Sequence, residues 1–178
     1  MNFNRSGGGN NGLGIGRVTL WLCVVSSHFN LDSFTMEAVL PPTPSPSHEE
    51  EAFGGIPAVI PGPIQAEDFD GGGEGVGYSD TDTPNNGGAY RLEEGVDISA
   101  MGSQHAYNVG WTRPGEFLRY TVTVEEAGEV EAPPAYHNSG SFHVVTGGTG
   151  CDDFTTDLSG LVTVPSTGGW ESFASLSM

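Results

Sequence analysis

The chain has 178 residues, of which 23 are acidic and five are arginine, with no lysine and a formal net charge of −18. Such an excess repels phosphate backbones and anionic lipid heads, which argues against nucleic acid or a charged membrane surface as a partner. It favours solubility, and it suits divalent cations that take carboxylate oxygens. The 28 glycines and 12 prolines point to short strands joined by tight turns, hence an all-β domain with a tail.

In chain order, residues 1–27 begin rich in Gly and Asn, with Arg5 and Arg17 as the charges. The apolar run Val18–Val25 follows, then Ser26 and Ser27. It is shorter than the about 20 residues a bilayer span needs. Two readings stand side by side: a secretory leader with small residues at its cleavage site, and a disordered tail. Of the two cysteines, Cys23 lies in this run and Cys151 far beyond it, so no disulfide framework is expected. Residues 28–60 include Pro41-Pro42-Thr43-Pro44-Ser45-Pro46-Ser47 and Glu49-Glu50-Glu51. Alternation of Pro with Ser and Thr favours an extended, solvated linker.

From Pro61 onward the pattern is that of strands. Ile64–Phe69 and Val96–Ile98 are candidates. Glu116–Val124 is the clearest, because Leu118, Tyr120, Val122 and Val124 alternate with Arg119, Thr121 and Thr123. Ser141–Thr146, Leu161–Val164 and Trp170–Ser177 complete the set. No window keeps a helical period, and a β-sandwich is expected. The segment Glu125–His137 carries Pro133 and Pro134, which lack N–H donors. A strand there is expected to be short and at an edge, or to have lost residues.

Chemistry-bearing motifs are few. Trp111 follows Gly110, and Trp170 follows Gly168-Gly169. An indole ring matches the flat C–H face of a pyranose, and glycines leave the approach open; a core tryptophan is the competing reading. Asp80-Thr81-Asp82 begins like a calcium loop, but Arg91 stands where the closing Glu belongs. Gly73-Glu74-Gly75-Val76-Gly77 lacks the spacing of a dinucleotide loop. Asp152, Asp153 and Asp157 read as solvated loop charges, and the five histidines show no metal-ligand spacing.

The order Ile64-Gln65-Ala66-Glu67-Asp68-Phe69-Asp70, Gly87-Gly88-Ala89-Tyr90-Arg91, Tyr107-Asn108-Val109-Gly110-Trp111 and Val162–Trp170 resembles family 6 carbohydrate-binding modules. The resemblance covers most of 61–178 and none of the first sixty residues. It implies a jelly-roll β-sandwich, preceded by a disordered tail and a linker. It implies non-catalytic binding of a polysaccharide by a secreted, monomeric module that accompanies a glycoside hydrolase. It also implies that Trp111 and Trp170 flank a sugar ring. A late Asn that completes the family's cleft has no counterpart before Met178, so Glu74 and Tyr78 stand as replacements, against the alternative of a solvated Gly-rich loop. Gln65 and Glu67 match half of a structural calcium site, whose late Asp also falls beyond Met178. The last strands are accordingly expected to be missing. Two other functions remain open: a hydrolase fragment whose catalytic domain lies elsewhere, and a secreted glycan-binding adhesion domain.

Overall fold

The computed structural model describes residues 15–26, 29–36, 51–102, 107–125, 130–136, 140–166 and 173–177. Strands run in the order β1 (Ile15–Ser26), β2 (Asn30–Leu31), β3 (Ser33–Met36), β4 (Ala58–Ile60), β5 (Gly62–Gln65), β6 (Tyr78–Ser79) and β7 (Ile98–Ala100). They continue as β8 (Tyr107–Val109), β9 (Phe117–Val124), β10 (Val130–Tyr136), β11 (Gly140–Gly150), β12 (Asp153–Asp157), β13 (Val162–Val164) and β14 (Phe173–Ser177). Among the described residues no α-helix is present.

Two seven-stranded sheets face each other. In the first, the order is β12-β11-β1-β9-β4, with β13 beside β11 and β6 beside β9. In the second it is β5-β3-β10-β2-β8-β7, with β14 beside β10. The all-β sandwich is therefore as the composition and alternation lead one to expect. The apolar set of β9 (Leu118, Tyr120, Val122, Val124) points into the core between the sheets, where it meets Ile64, Phe69, Ile98, Val109, Phe142 and Val144. Its opposite face is covered too: Arg119 is buried over the Trp21 ring and lies 3.8 Å from Asp70.

The first correction concerns residues 15–26 and 29–36. They are neither a tail nor a linker but β1, β2 and β3, inside the sandwich. β1 is flanked on both sides, by β9 from Ile15↔Val124 to Cys23↔Phe117 and by β11 from Leu20↔Thr146 to Ser26↔Ser141. The cause is in its pattern: Leu20, Leu22 and Val24 alternate into the core, while Trp21 and Cys23 fill the outer face with Val145. Phe29, Leu31 and Phe34 add further core from β2 and β3. Burying six such side chains is worth roughly 12 kcal/mol before ordering entropy, at about 2 kcal/mol each. That equals or exceeds the net stability of most domains, so the rest of the sandwich depends on this segment. The strands β1–β3 precede Pro61 and pair within both sheets, so the sandwich does not begin there.

The second correction follows from the first. Cys23 and Cys151 form a disulfide, with Cα atoms 5.7 Å apart and a separation of 128 positions in sequence. The third concerns β10. It lies between β14 and the pair β2/β3, not at an edge. Its two prolines fall within the register shift between Ala132 and Ala135, where a bulge tolerates a missing donor. Opposite them β2 and β3 are interrupted at Asp32, whose carbonyl accepts from Ala66 N–H at 2.7 Å instead. Finally, Asp153–Asp157 is a strand, though its residues are all exposed, so its acids are solvated as expected.

Candidate functional site

The loop after β8 presents Trp111. Its backbone stands at φ +52°, in the left-handed region that non-glycine residues rarely occupy, and its side chain is 41% exposed. Such a residue, held out from a rigid sheet, is a candidate for contact with a ligand. Two features hold the loop. Gly110 N–H donates to Asp97 O at 2.9 Å. Thr112 bridges to the N-terminal segment, donating from its hydroxyl to Phe29 O at 2.8 Å and accepting from Phe29 N–H at 3.2 Å.

That bridge brings Asn30 to the loop. Asn30 is buried, and its Oδ1 lies 2.7 Å from where a Cβ on Gly110 would be. Any side chain at position 110 would displace it, which is the physical reason for glycine before Trp111. Asn30 thus packs against the residue that precedes Trp111, although the two positions lie 81 apart in sequence.

Beside this pair lies an acidic wall. Asp80, Asp82 and Asp97 bring ligand oxygens within 4.8 Å of one another, close enough to hold a cation. Burial first, and then the charges of Glu116, Asp97 and Asp82, push the Asp80 carboxyl up to about 7. Asp97 is also raised, chiefly by burial, against hydrogen bonds from Asn86. Arg113 pairs with Asp82 at 2.6 Å. Glu116 accepts from Thr81 N–H and Oγ1, and from Arg113 N–H at 2.6 Å, which fixes the loops on both sides of Trp111.

The other sequence candidates separate. Glu74 is exposed but turned onto its own loop, accepting from Ser79 Oγ at 2.7 Å and from Asp80 N–H at 3.0 Å. Tyr78 is a core residue: it is buried edge-on against Phe69, and its hydroxyl accepts from Gly95 N–H at 2.9 Å. It presents no face to a ligand, which corrects its assignment. Trp170 lies outside the described residues. No protein-family model matches this chain, and no curated protein does.

A second group of polar residues surrounds Glu67. Glu67 is buried (5% exposed), and its Oε2 has no hydrogen-bond partner. Burial pushes its carboxyl up to about 7, with the charges of Asp68 and Asp32 adding to the rise. Asp32 is also buried and comes from the break between β2 and β3. Gln65, on β5, pairs with Ser33 and is exposed. Arg91 pins the chain beneath this group by donating to the carbonyls of Glu67, Phe69 and Asp70. An unpartnered buried carboxylate oxygen beside a second acid is an arrangement that a hard cation would satisfy. Asp32 lies near enough for its charge to act on Glu67.

Sequence reasoning missed Asn30, Asp32, Thr112 and Glu116. For the first two the signal was present. Phe29 and Leu31 alternate around Asn30, and Phe34 follows, but the proline-rich stretch after them drew the domain boundary past both.

Proposed function

We propose that this chain is a secreted, non-catalytic polysaccharide-binding domain similar to family 6 carbohydrate-binding modules. The observation that carries the reading is Trp111 itself, exposed and held at φ +52° in the loop after β8, with Asn30 packed against Gly110 behind it. Trp111 offers the stacking face, and Asn30 holds the loop that presents it. Trp170 is assigned the second stacking face on the resemblance alone.

The acidic wall narrows the ligand. Asp80, Asp82, Asp97 and Glu116 accept hydroxyl hydrogens but repel uronates and sulfates. The ligand is therefore a neutral polysaccharide. The resemblance assigns a structural calcium to Gln65 and Glu67; the buried, unpartnered Glu67 Oε2 supports that reading, and Asp32, in the break between β2 and β3, is the nearby acid that would join them. The disulfide, and the lack among the described residues of any helix long and apolar enough to cross a membrane, are compatible with export.

Affinity electrophoresis against xylan, laminarin, hydroxyethylcellulose and agarose tests the reading, with polygalacturonate as the anionic control. At least one neutral polymer should retard the chain, and Trp111→Ala should restore free mobility. Retardation by none, or by polygalacturonate alone, would overturn it.

A further inference from the structure

We propose that the Cys23–Cys151 disulfide is an exchange site for small thiols, attacked at Cys151 and assisted by His143, which faces Cys23 and is held by Asp157. Reduction there releases the tip of the β11–β12 hairpin from β1 and uncovers the Trp21 cluster beneath it.

The inference rests on three neighbouring strands of the first sheet. β1, β11 and β12 lie side by side and carry Cys23, His143 and Asp157 in that order. Cys23 and His143 are register partners. Residues opposite one another in an antiparallel pair share a face, with Cβ atoms roughly 5 Å apart. That face is the outer one, where Cys23 packs with Trp21 and Val145. On the β12 side, His143 Nδ1 lies 2.8 Å from Asp157 Oδ2. The carboxylate accepts, so Nδ1 carries the proton and Nε2 is left to exchange one. Asp157 is itself fixed, because its Oδ1 accepts from Ser159 N–H at 3.2 Å and from Gly160 N–H at 2.8 Å. A sulfur, an imidazole and an acid that orients the imidazole are the parts by which thiols are activated. The two sulfurs differ in access: Cys23 is 6% exposed, whereas Cys151 is half-buried at the hairpin tip. An incoming thiol therefore meets Cys151, and Cys23 is the leaving group that His143 faces.

The reaction balances as thiol–disulfide exchange. A thiolate attacks Cys151 Sγ, the Cys23–Cys151 bond breaks, and its electron pair leaves on Cys23 Sγ. His143, protonated on both nitrogens, stabilises that thiolate and gives it the Nε2 proton. A second thiolate attacks the mixed disulfide, and Cys151 leaves and takes a proton from water. Two small thiols have then become one disulfide, and the protein has gained two electrons and two protons. The consequence lies in the hairpin. Thr149 Oγ1 donates to Asp153 Oδ2, and the pairs Gly148↔Phe154 and Gly150↔Asp153 also stay within it. The disulfide is what latches its tip to β1, with Cys151 packed on Trp21, Cys23 and Val145. Once the latch opens, the Trp21 ring, edge-on to Phe117 at 4.9 Å, gains access to solvent.

The strands against β11 define what else can titrate beside His143. β1 presents Cys23 and β12 presents Asp157, while β13 reads Val162-Thr163-Val164 and carries no such group. Asp153 begins β12 and Asp152 precedes it at the tip. The test reduces the folded, full-length chain with dithiothreitol and follows bond opening by quenched alkylation and mass spectrometry. Rates are taken from about pH 5.5 to 8, where imidazoles gain their second proton, and are divided by the fraction of reductant present as thiolate. The corrected rate of the parent should rise at least about tenfold as pH falls, because a stabilised thiolate leaves faster. His143→Gln should give a flat profile, and Asp157→Asn a weakened rise. Coincident profiles for the parent and His143→Gln would overturn the proposal. So would a rate that ignores the dithiothreitol concentration, as for a bond that opens only when the chain unfolds. Ultraviolet titration of the Cys23 thiol in Cys151→Ser gives an independent reading. Its thiolate should form at lower pH than in Cys151→Ser combined with His143→Gln, and coincident titrations would remove His143 from the site.

Discussion

Replacing both Cys23 and Cys151 by Ser removes the covalent tie between β1 and the β11–β12 turn, at little cost in volume. The bond closes a loop of 128 residues. The chain-entropy treatment assigns such a loop roughly 5 kcal/mol at 25 °C, and removal of native disulfides costs about 2–5 kcal/mol in practice. Set against a typical net stability of about 5–15 kcal/mol, this loss is large. Guanidinium unfolding of the oxidised chain and of the double variant, extrapolated to water, measures it. The expected loss is about 3–5 kcal/mol, and the melting temperature should fall by roughly 10 °C or more for a chain of this size. The reasoning assumes that β1 is seated between β9 and β11. If the two proteins agree within about 0.5 kcal/mol, Cys23 is not tied to Cys151 and β1 is not part of the sandwich.

Phe34→Ala should cost about 3–5 kcal/mol in the same assay, because the ring is buried edge-on against Tyr120 at 5.0 Å; a neutral result would mark residues 28–36 as linker. Glu67 should make stability depend on pH. Its folded pKa of about 7 lies above the ordinary 4.5, so its contribution is fully present below 4.5 and is lost as pH rises to about 7, by roughly 3 kcal/mol. Glu67→Gln should remove that part of the slope, and an unchanged pH profile would show that the carboxyl titrates normally. Calcium at pH 7 should raise the melting temperature of the parent and displace protons from it, and Glu67→Gln should reduce both effects; equal responses would end the assignment of a cation to Glu67.

The sheet class and the central strand β9 were legible because strict alternation over eight residues admits one solution: Leu118, Tyr120, Val122 and Val124 have to face a core. The strands around Gly140–Gly150 were legible for the same reason. The N-terminal segment was not, because Val18–Val25 is nearly continuous in apolar character. A strand buried on both faces and the core of a leader read alike, and only pairing partners 94 or more positions away decide between them. The prolines of β10 misled because the local rule against them in a central strand is relieved by a bulge that only the β2/β3 break makes visible. Trp111 was legible from its glycine neighbour. Tyr78 was not, since its spacing leaves open which way the ring turns, and the Gly95 N–H that anchors it lies 17 residues away.

The central claim is that the N-terminal segment completes both the sandwich and its binding face. Calorimetric titration of the best-bound neutral oligosaccharide against the parent, Trp111→Ala and Asn30→Ala tests it most directly, with a thermal melt of each. A lost aromatic stack is worth on the order of 1 kcal/mol, and Asn30→Ala loosens the loop that presents it, so each variant should bind at least about fivefold more weakly while remaining folded. Full affinity in folded Asn30→Ala would contradict the claim, because the sugar would then be bound without the residue that β2 brings to the Trp111 loop.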